Sequence, residues 1–258
     1  MRNPAEDFRQ RVQAMTDAGW TSRTRLLLGD EACDALSARH VLVVGMGGVG
    51  SFAAEFLARA GIGRLTIVDG DVVDPTNRNR QLPALITTEG RYKVDVMRER
   101  LQAINPDLHV VALKQFVTPN QVERLLMASY DYIVDAIDSL TPKVILLQQA
   151  HQQGFRIVSA MGAGGKVDPT KIRIADLSET QKCGLARFVR KRLARHNIRT
   201  GITAVYSLEE TNEDALMFTD GSHFKKSAFG TVSWMPAAYG GACASVVVRD
   251  LSQSVDMS

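Results

Sequence analysis

Residues 40–51, HVLVVGMGGVGS, are the most informative segment of this chain for its fold class. A short run of mostly apolar residues, 40–44, is followed at once by a glycine-rich turn and then by a segment over residues 49–60 with helical periodicity. Continuous apolar runs are typical of strands that are buried on both faces of a parallel sheet. The stretch therefore predicts a strand, a tight turn and a helix in direct succession.

Strands and helices continue to alternate after this unit. Strands are predicted at residues 64–68, 108–113, 132–137 and 156–160, and a helix is predicted at residues 93–104. Two further helices begin at Thr118-Pro119 and Thr141-Pro142, since threonine at the N-cap and proline at the first helical position favour a helix start. Helices between successive strands imply right-handed crossovers and a sheet covered on both faces. We predict an α/β fold, a doubly wound and mostly parallel Rossmann-like sheet.

Composition excludes several classes of protein. The chain has 258 residues, of which 45% are hydrophobic and 23% charged, so it can bury a large core and is not expected to be disordered. Residues 235–248 form the longest weakly polar run, which is shorter than the about 20 apolar residues of a bilayer-spanning helix. We predict a buried helix there and no membrane insertion.

Cysteine usage and the N-terminus indicate the compartment. Cys33, Cys183 and Cys243 are far apart and form no C-x-x-C pair, which disfavours a disulfide framework and a zinc site and suits a reducing compartment. Residues 1–15 contain charges where a signal peptide needs an unbroken apolar stretch. The expected location is the cytoplasm.

The glycine-rich turn has the features of a phosphate-binding loop. Gly45 allows the tight turn, Gly47 and Gly48 allow backbone amides to approach a phosphate at the helix N-terminus, and Gly50 completes the motif. Asp69 follows the second predicted strand, where a carboxylate accepts hydrogen bonds from a ribose. These features predict a nucleotide site, and by themselves they fit a nicotinamide dehydrogenase as well as any other nucleotide-binding protein.

Polar and cationic residues after Asp69 favour phosphate chemistry. The segment DGDVVDPTNRNRQ at residues 69–81 is followed by Lys93, which opens the next predicted helix. A hydride-transfer site needs an apolar face for the nicotinamide, whereas cations aimed at a phosphate chain suit a reaction that builds charge on the α-phosphate and on departing pyrophosphate. Asp138 lies in DAIDS at residues 135–139, at the sheet edge where ligands bind, and could hold Mg²⁺. Lys143, one turn into the next helix, is a further candidate phosphate contact.

These motifs, taken in order, resemble a known superfamily. GxGGVGS, AGIGxLTIVDxDxV, NxNRQ, the lysine and DAIDS are similar to the ThiF-like adenylating superfamily, which includes the ubiquitin-activating enzymes. Within it, TRLxxGxxA at residues 24–32, TNxNRQ at 76–81 and GAGGxxDPTxI at 162–172 most resemble the tRNA threonylcarbamoyladenosine dehydratases. The resemblance covers residues 23 to about 180. One departure is GWTS at residues 19–22, where those dehydratases have Arg-Phe-Gly-Gly.

The resemblance implies a role for each matching residue. The glycine loop would hold ATP and Asp69 its ribose. Asn77 and Arg80 would contact the phosphates, with Gln81 as a further nucleotide contact. Lys93 would reach the α-phosphate region, Asp138 would carry Mg²⁺, and Arg25 would act from the N-terminal arm of a second subunit. The catalytic residues implied in this way are Arg25, Arg80, Lys93 and Asp138.

The resemblance also implies the reaction and the partners. The carboxylate of threonylcarbamoyladenosine in tRNA would be adenylated by ATP with release of pyrophosphate, and an internal nucleophile would then close the ring and release AMP. A homodimer and a sulfur-relay accessory protein are the implied partners. The residues leave open an adenylating enzyme for the C-terminus of a ubiquitin-like sulfur carrier, a nicotinamide-dependent oxidoreductase and a non-catalytic nucleotide-binding module.

The chain is predicted to form one adenylating domain over residues 1–258, because no Pro/Gly/Ser-rich linker divides it. Residues 1–38 would form an N-terminal arm and helices, and residues 39–161 the nucleotide-binding core. Residues 162–258 would form an extension that binds the substrate and forms the dimer.

A basic stretch without acidic residues lies between Glu179 and Glu209. Leu185, Phe188 and Leu193 fit one face of a helix and are predicted to be buried, which would leave the arginines exposed. Such a concentration of positive charge suits a phosphate backbone. The predicted tRNA contacts are Arg187, Arg190, Lys191, Arg192 and Arg195.

Overall fold

A central sheet organises the fold in the computed structural model, which describes residues 19–218 and 227–253. The strands of this sheet are β1 (His40–Val44), β2 (Arg64–Val68), β3 (His109–Leu113), β4 (Tyr132–Asp135), β5 (Ile157–Ala160), β6 (Ile172–Asp176) and β7 (Thr203–Ser207). Their order is β3-β2-β1-β4-β5-β7-β6, and all neighbours are parallel except β6, which runs antiparallel to β7. The predicted α/β fold with a mostly parallel sheet is confirmed. A separate antiparallel pair consists of β8 (Leu216–Phe218) and β9 (Ser227–Phe229).

Helices cover both faces of the sheet. They are α1 (Ser22–Leu28), α2 (Asp30–Ser37), α3 (Gly50–Arg59), α4 (Lys93–Ile104), α5 (Pro119–Leu125), α6 (Leu140–Gln152), α7 (Gly184–Leu193) and α8 (Trp234–Ser252). Side chains of a strand alternate between its faces, so Val41 and Val43 pack with α2, α3, α4 and α8, while Leu42 and Val44 pack with α5, α6 and α7. Two buried layers therefore sandwich the sheet.

The strand order reverses between β1 and β4, and this reversal determines where a ligand crevice can form. The chain runs outward from β1 through β2 to β3 and then returns to the other side of β1 at β4. Loops that follow β1 and β4 diverge at such a point and leave a crevice at the carboxyl ends of the strands. The glycine loop and the DAIDS segment both lie at this crevice.

Helix α8 confirms the predicted buried helix and packs tightly on α3. Tyr239, Cys243 and Val247 are fully buried along one side. A Cβ atom on Gly240 would lie 2.6 Å from the carbonyl oxygen of Val49, so only glycine allows this close approach of the two backbones. No helix in the described residues is both long and apolar enough to cross a membrane.

Two features differ from or extend the sequence predictions. The strand predicted at residues 132–137 ends at Asp135, whose carboxylate Oδ1 accepts the backbone N–H of Ile137 at 3.1 Å and turns the chain. In residues 162–258, β7 pairs with β5 and β6 pairs with β7, so both strands extend the same sheet. Residues 1–18 of the predicted N-terminal arm lie outside the described residues.

Candidate active site

The turn after β1 has a shape that only glycine permits. Gly45 has φ of +94° and its N–H donates to the carbonyl oxygen of Val68 at 2.8 Å. A Cβ atom on Gly50 would lie 1.8 Å from the carbonyl oxygen of Gly45, and one on Gly48 would lie 2.9 Å from Cβ of Pro236. Gly47 differs, because the nearest atom to its added Cβ would be Nε2 of Gln81 at 3.8 Å. The turn is closed on one side by packing and open on the side of Gly47.

The start of α3 is suited to bind an anion. Its N-cap residue, Val49, supplies no side-chain hydrogen bond, and its first turn contains no acidic residue. Backbone N–H groups and the helix dipole give such an N-terminus a partial positive charge. This local structure favours a phosphate at the glycine loop.

Asp69 connects the loops after β1 and β2. Its Oδ2 accepts the N–H of Met46 at 2.6 Å, and its Oδ1 accepts the N–H of Asp71 at 2.8 Å. Burial raises the pKa of the Asp69 carboxyl, while the charge of Lys93 and the two backbone donors oppose that rise. A carboxylate oxygen accepts two hydrogen bonds, so each Asp69 oxygen retains capacity for a ribose hydroxyl.

The segment after β2 forms a capped turn. Asp74 caps the short 3-10 helix Pro75–Asn77, and Oδ1 of the buried Asn77 accepts the N–H of Asp74 at 3.3 Å. Oε1 of Gln81 is buried and has no hydrogen-bond partner within the described part of the chain. A buried polar atom without a protein partner is uncommon in a folded protein and can accept a hydrogen bond from a ligand or water. Asn77 thus shapes its own loop, whereas Gln81 has unused bonding capacity beside Gly47.

Two cations lie at this loop. Nη1 of Arg80 donates to the carbonyl oxygen of Thr76 at 2.9 Å and to Oδ1 of Asn79 at 2.8 Å. Nζ of Lys93 pairs with Oδ2 of Asp71 at 3.0 Å, and its side chain is only 6% exposed. Neither side chain extends freely into solvent. Both are held at the carboxyl edge of β2 by neighbouring oxygens.

Asp138 and the buried Asp135 have different environments. Asp138 is exposed, and its Oδ1 accepts the hydroxyl of Ser139 at 3.3 Å. The described residues contain no group of three or more His, Cys, Asp or Glu that could hold a metal ion. Mg²⁺ sites at nucleotides commonly use one or two carboxylates together with phosphate oxygens and water. The accessible carboxylate of Asp138 at the crevice therefore fits a Mg²⁺ ion that is held mainly by a triphosphate.

Lys143 forms a buried ion pair, so the expectation that it contacts phosphate is wrong. Its Nζ lies 2.5 Å from Oδ2 of Asp135, and both side chains are fully buried. The same Nζ donates to Oγ of Ser159 and to the carbonyl oxygen of Ala160, and Oγ of Ser159 donates to Asp135 at 2.6 Å. This network was not predicted from the sequence, although the position of Lys143 beside Val144 in an apolar helix was an available signal of burial. Because Asp135 also binds the N–H of Ile137, the network positions the segment that carries Asp138.

Arg25 contacts the helix that follows it in its own chain. Its guanidinium pairs with Asp30 at 3.1 Å and with Asp34 at 2.8 Å, and these two acids raise the pKa of Arg25. The structure does not bring Arg25 to the glycine loop of the same chain.

The basic helix α7 buries Leu193 as predicted and packs Leu185 partly against the core, but Phe188 does not belong to its buried face. Its buried residues are Ala186, Val189 and Leu193, whereas Phe188 is 48% exposed. The small Ala186 side chain lets α7 pack closely on the protein core, which turns Phe188 outward. The prediction that Phe188 is buried was wrong.

The cations of α7 fall into two groups. Arg187, Lys191 and Arg195 are exposed. Arg190 is half-buried and donates to the carbonyl oxygen of Thr180 at 2.8 Å, and Arg192 is half-buried and donates to Oγ1 of Thr141 at 2.9 Å. The expectation of full exposure was therefore wrong for Arg190 and Arg192, because each of them binds an oxygen of a neighbouring segment.

Substitutions at Gly50 and Gly47 distinguish a glycine required for packing from a glycine required for ligand access. We expect Gly50→Ala to destabilise the protein by about 3 kcal/mol or more, because its Cβ would overlap a backbone oxygen that cannot move independently. Gly47→Ala should leave the Tm of the ligand-free protein nearly unchanged but weaken ATP binding, because its Cβ would occupy the open side of the turn. Thermal unfolding and ATP titration measure the two effects. Equal Tm values for wild type and Gly50→Ala would contradict the steric argument.

Comparison with known proteins gives consistent matches. The model of the ThiF family matches residues 21–257. The chain is 44% identical over 188 residues to the tRNA threonylcarbamoyladenosine dehydratase of Bacillus subtilis, covering 73% of this chain and 74% of the relative. The enzyme of the same name from Escherichia coli is 44% identical over 177 residues, covering 67% of this chain and 66% of that relative. A crystal structure of the E. coli dehydratase in complex with ATP superposes with a TM-score of 0.82 at 35% identity, covering 91% of this chain and 95% of that one.

Proposed function

The chain belongs to the ThiF family, and we propose that it is an ATP-dependent tRNA threonylcarbamoyladenosine dehydratase. The observation that carries this proposal is the 44% identity over 73% of the chain to a dehydratase of that name. The E. coli dehydratase, which has the same fold, also has a crystal structure in complex with AMP. Complexes of that relative with ATP and with AMP agree with a reaction that proceeds through an acyl-adenylate.

The nucleotide would lie in the crevice between the loops after β1 and β4. Backbone amides of Gly47, Gly48 and Gly50 would surround the phosphates, while Gly45, whose N–H bonds to Val68, would shape the turn that presents them. Asp69 would accept the ribose hydroxyls through its remaining lone pairs. The unpartnered Oε1 of Gln81 supports a nucleotide contact beside Gly47. Asn77 would act mainly by keeping the loop in place, since its side chain bonds to the N–H of Asp74.

Arg80 and Lys93 would stabilise the charge that develops during adenylation. The substrate carboxylate attacks the α-phosphorus, the bond to the bridging oxygen breaks, and that electron pair leaves with pyrophosphate. Cations that are already positioned lower the energy of this transition state without reorganising. An internal nucleophile of the threonylcarbamoyl group then attacks the activated carbonyl and releases AMP. The net change in the nucleoside is the loss of one water.

Asp138 would hold Mg²⁺, which when bound neutralises charge on the triphosphate oxygens. The buried Asp135–Lys143 pair would keep the Asp138 segment in place. No side chain of the enzyme is required as a nucleophile, and burial raises the pKa of the Cys243 thiol to about 12, which keeps it protonated.

The proposal includes a homodimer, with the chain acting as a single adenylating domain. Arg25 would reach the active site of the second subunit after exchanging its pairs with Asp30 and Asp34 for the nucleotide phosphates. A sulfur-relay accessory protein is a further proposed partner. The three buried free cysteines support a reducing compartment, and we propose the cytoplasm.

The decisive experiment uses two samples of tRNA, one carrying and one lacking threonylcarbamoyladenosine. The protein is incubated with ATP, Mg²⁺ and each tRNA, and the nucleosides are analysed by mass spectrometry. We expect the modified nucleoside alone to lose the mass of one water, with pyrophosphate released only in that sample. Pyrophosphate release with a peptide ending in Gly-Gly and no tRNA would instead identify a sulfur-carrier adenylating enzyme, and nicotinamide absorbance in the purified protein would identify an oxidoreductase.

A further inference from the structure

A cavity of about 310 Å³ lies between the start of α6 and the basic helix α7. Its lining residues are Leu140, Phe188, Lys191, Arg192 and Arg195. Ligand pockets in proteins begin at about 300 Å³, so this cavity is large enough for a small planar group. The lining combines one aromatic ring and one leucine with three cations, and it contains no acidic residue.

The cavity lies beside the segment that carries Asp138. Leu140 is the first residue of α6 and follows Asp138 by two positions. The bond from Arg192 to Oγ1 of Thr141 ties α7 to the first turn of α6. A chain that enters the crevice at Asp138 would therefore pass this cavity.

Phe188 is placed to stack rather than to support the core. Phe188 is 48% exposed, whereas Ala186, Val189 and Leu193 of the same helix are buried. The guanidinium of Arg187 lies 5.2 Å from the centre of the ring. Exposed aromatic rings that are flanked by arginine and lysine are typical of surfaces that bind single-stranded RNA, where bases stack on the ring and cations bind the phosphates.

We propose that this cavity binds a nucleotide of the tRNA that flanks the modified adenosine, with its base stacked on Phe188 and its phosphates on Lys191 and Arg195. The inference rests on the proposed function, because it takes tRNA as the substrate. RNA is favoured over an acidic protein segment because residues 180–208 contain several basic residues and no acidic one. Such a surface suits the regularly spaced negative charges of a phosphate backbone. Phe188 and the cations then have separate roles. The ring contributes stacking that does not depend on salt, and the cations contribute counterion release.

Binding of modified tRNA is measured by fluorescence anisotropy over a series of salt concentrations. We expect Phe188→Ala to weaken binding about 5- to 150-fold, the effect of removing one stacking contact, without changing the slope of log Kd against log salt. Phe188→Tyr should restore the affinity. Lys191→Glu should weaken binding and reduce the salt slope by about 1 or more. In steady-state assays Phe188→Ala should raise KM for tRNA, while kcat and the Kd for ATP stay near wild type.

Two matched controls lie on α5 and just after it, away from the carboxyl edge of the sheet. Met127→Ala removes an apolar side chain that is 82% exposed, and Arg124→Glu makes the same charge change as Lys191→Glu. Both should bind tRNA like wild type.

Several results would overturn the inference. These are an unchanged tRNA affinity for folded Phe188→Ala, the same loss in Met127→Ala, or no rescue by tyrosine. The two proposals can fail separately. If the variants change tRNA binding as expected but the wild-type protein does not dehydrate the modified tRNA, the proposed function is refuted and the nucleotide-binding cavity is still supported.

Discussion

Replacing Arg80 by alanine is expected to lower the rate of adenylation about 100- to 1,000-fold while ATP affinity falls much less. The guanidinium would act on charge that appears only as pyrophosphate departs, so its loss affects the transition state more than the bound ground state. Folding should be unaffected, because among the described residues the Arg80 side chain donates to Thr76 and Asn79, both in its own loop. Single-turnover release of pyrophosphate with modified tRNA measures the rate.

The neighbouring Arg78 provides a control within the same loop. Arg78 is exposed and pairs with Glu89 at 3.4 Å. Arg78→Ala makes the same chemical change two residues away and should retain nearly full activity. If both variants lose activity equally, the effect comes from the net charge of the loop and not from a phosphate contact by Arg80.

Replacing Lys143 by methionine is expected to destabilise the protein by about 3–5 kcal/mol. Asp135 would be left fully buried without its cation, with only Ser159 and the N–H of Ile137 as donors. For a chain of this size, each kcal/mol lowers the Tm by about 2–4 °C, so a fall of about 6–20 °C should be seen in thermal unfolding. The folded fraction should also adenylate more slowly, because the segment carrying Asp138 loses its anchor.

A second cation and a double variant test this explanation. Lys114 pairs with Asp95 at 2.7 Å on the surface, where its side chain is 46% exposed, and Lys114→Met should cost about 1 kcal/mol or less. Asp135→Asn combined with Lys143→Met removes both charges and should recover part of the lost stability. A double variant no more stable than Lys143→Met would show that packing, and not the uncompensated carboxylate, determines the loss.

Local sequence predicted the elements that build the crevice. The apolar run at residues 40–44 and the glycine turn after it predict a strand followed by a helix. This prediction needs no tertiary information, because it depends on residues that are neighbours in the chain. The helix predicted at residues 93–104 has these bounds in the structure. Spacing also placed Asp69 and Asp138 at the carboxyl edge of the sheet, since residues that follow parallel strands meet there.

The sequence did not determine which side chains become buried cations or exposed rings. Lys143 was predicted to contact phosphate but pairs with Asp135, and Phe188 was predicted to be buried but α7 packs through Ala186 and Val189.

The fold class, the glycine loop and the charged residues around it were predictable from residue patterns, because short-range periodicity and steric limits act within a few residues. The environments of Lys143, Arg190, Arg192 and Phe188 were not predictable in this way. Their surroundings come from segments distant in the chain, and the energy of a charge or a ring depends on what those segments place beside it.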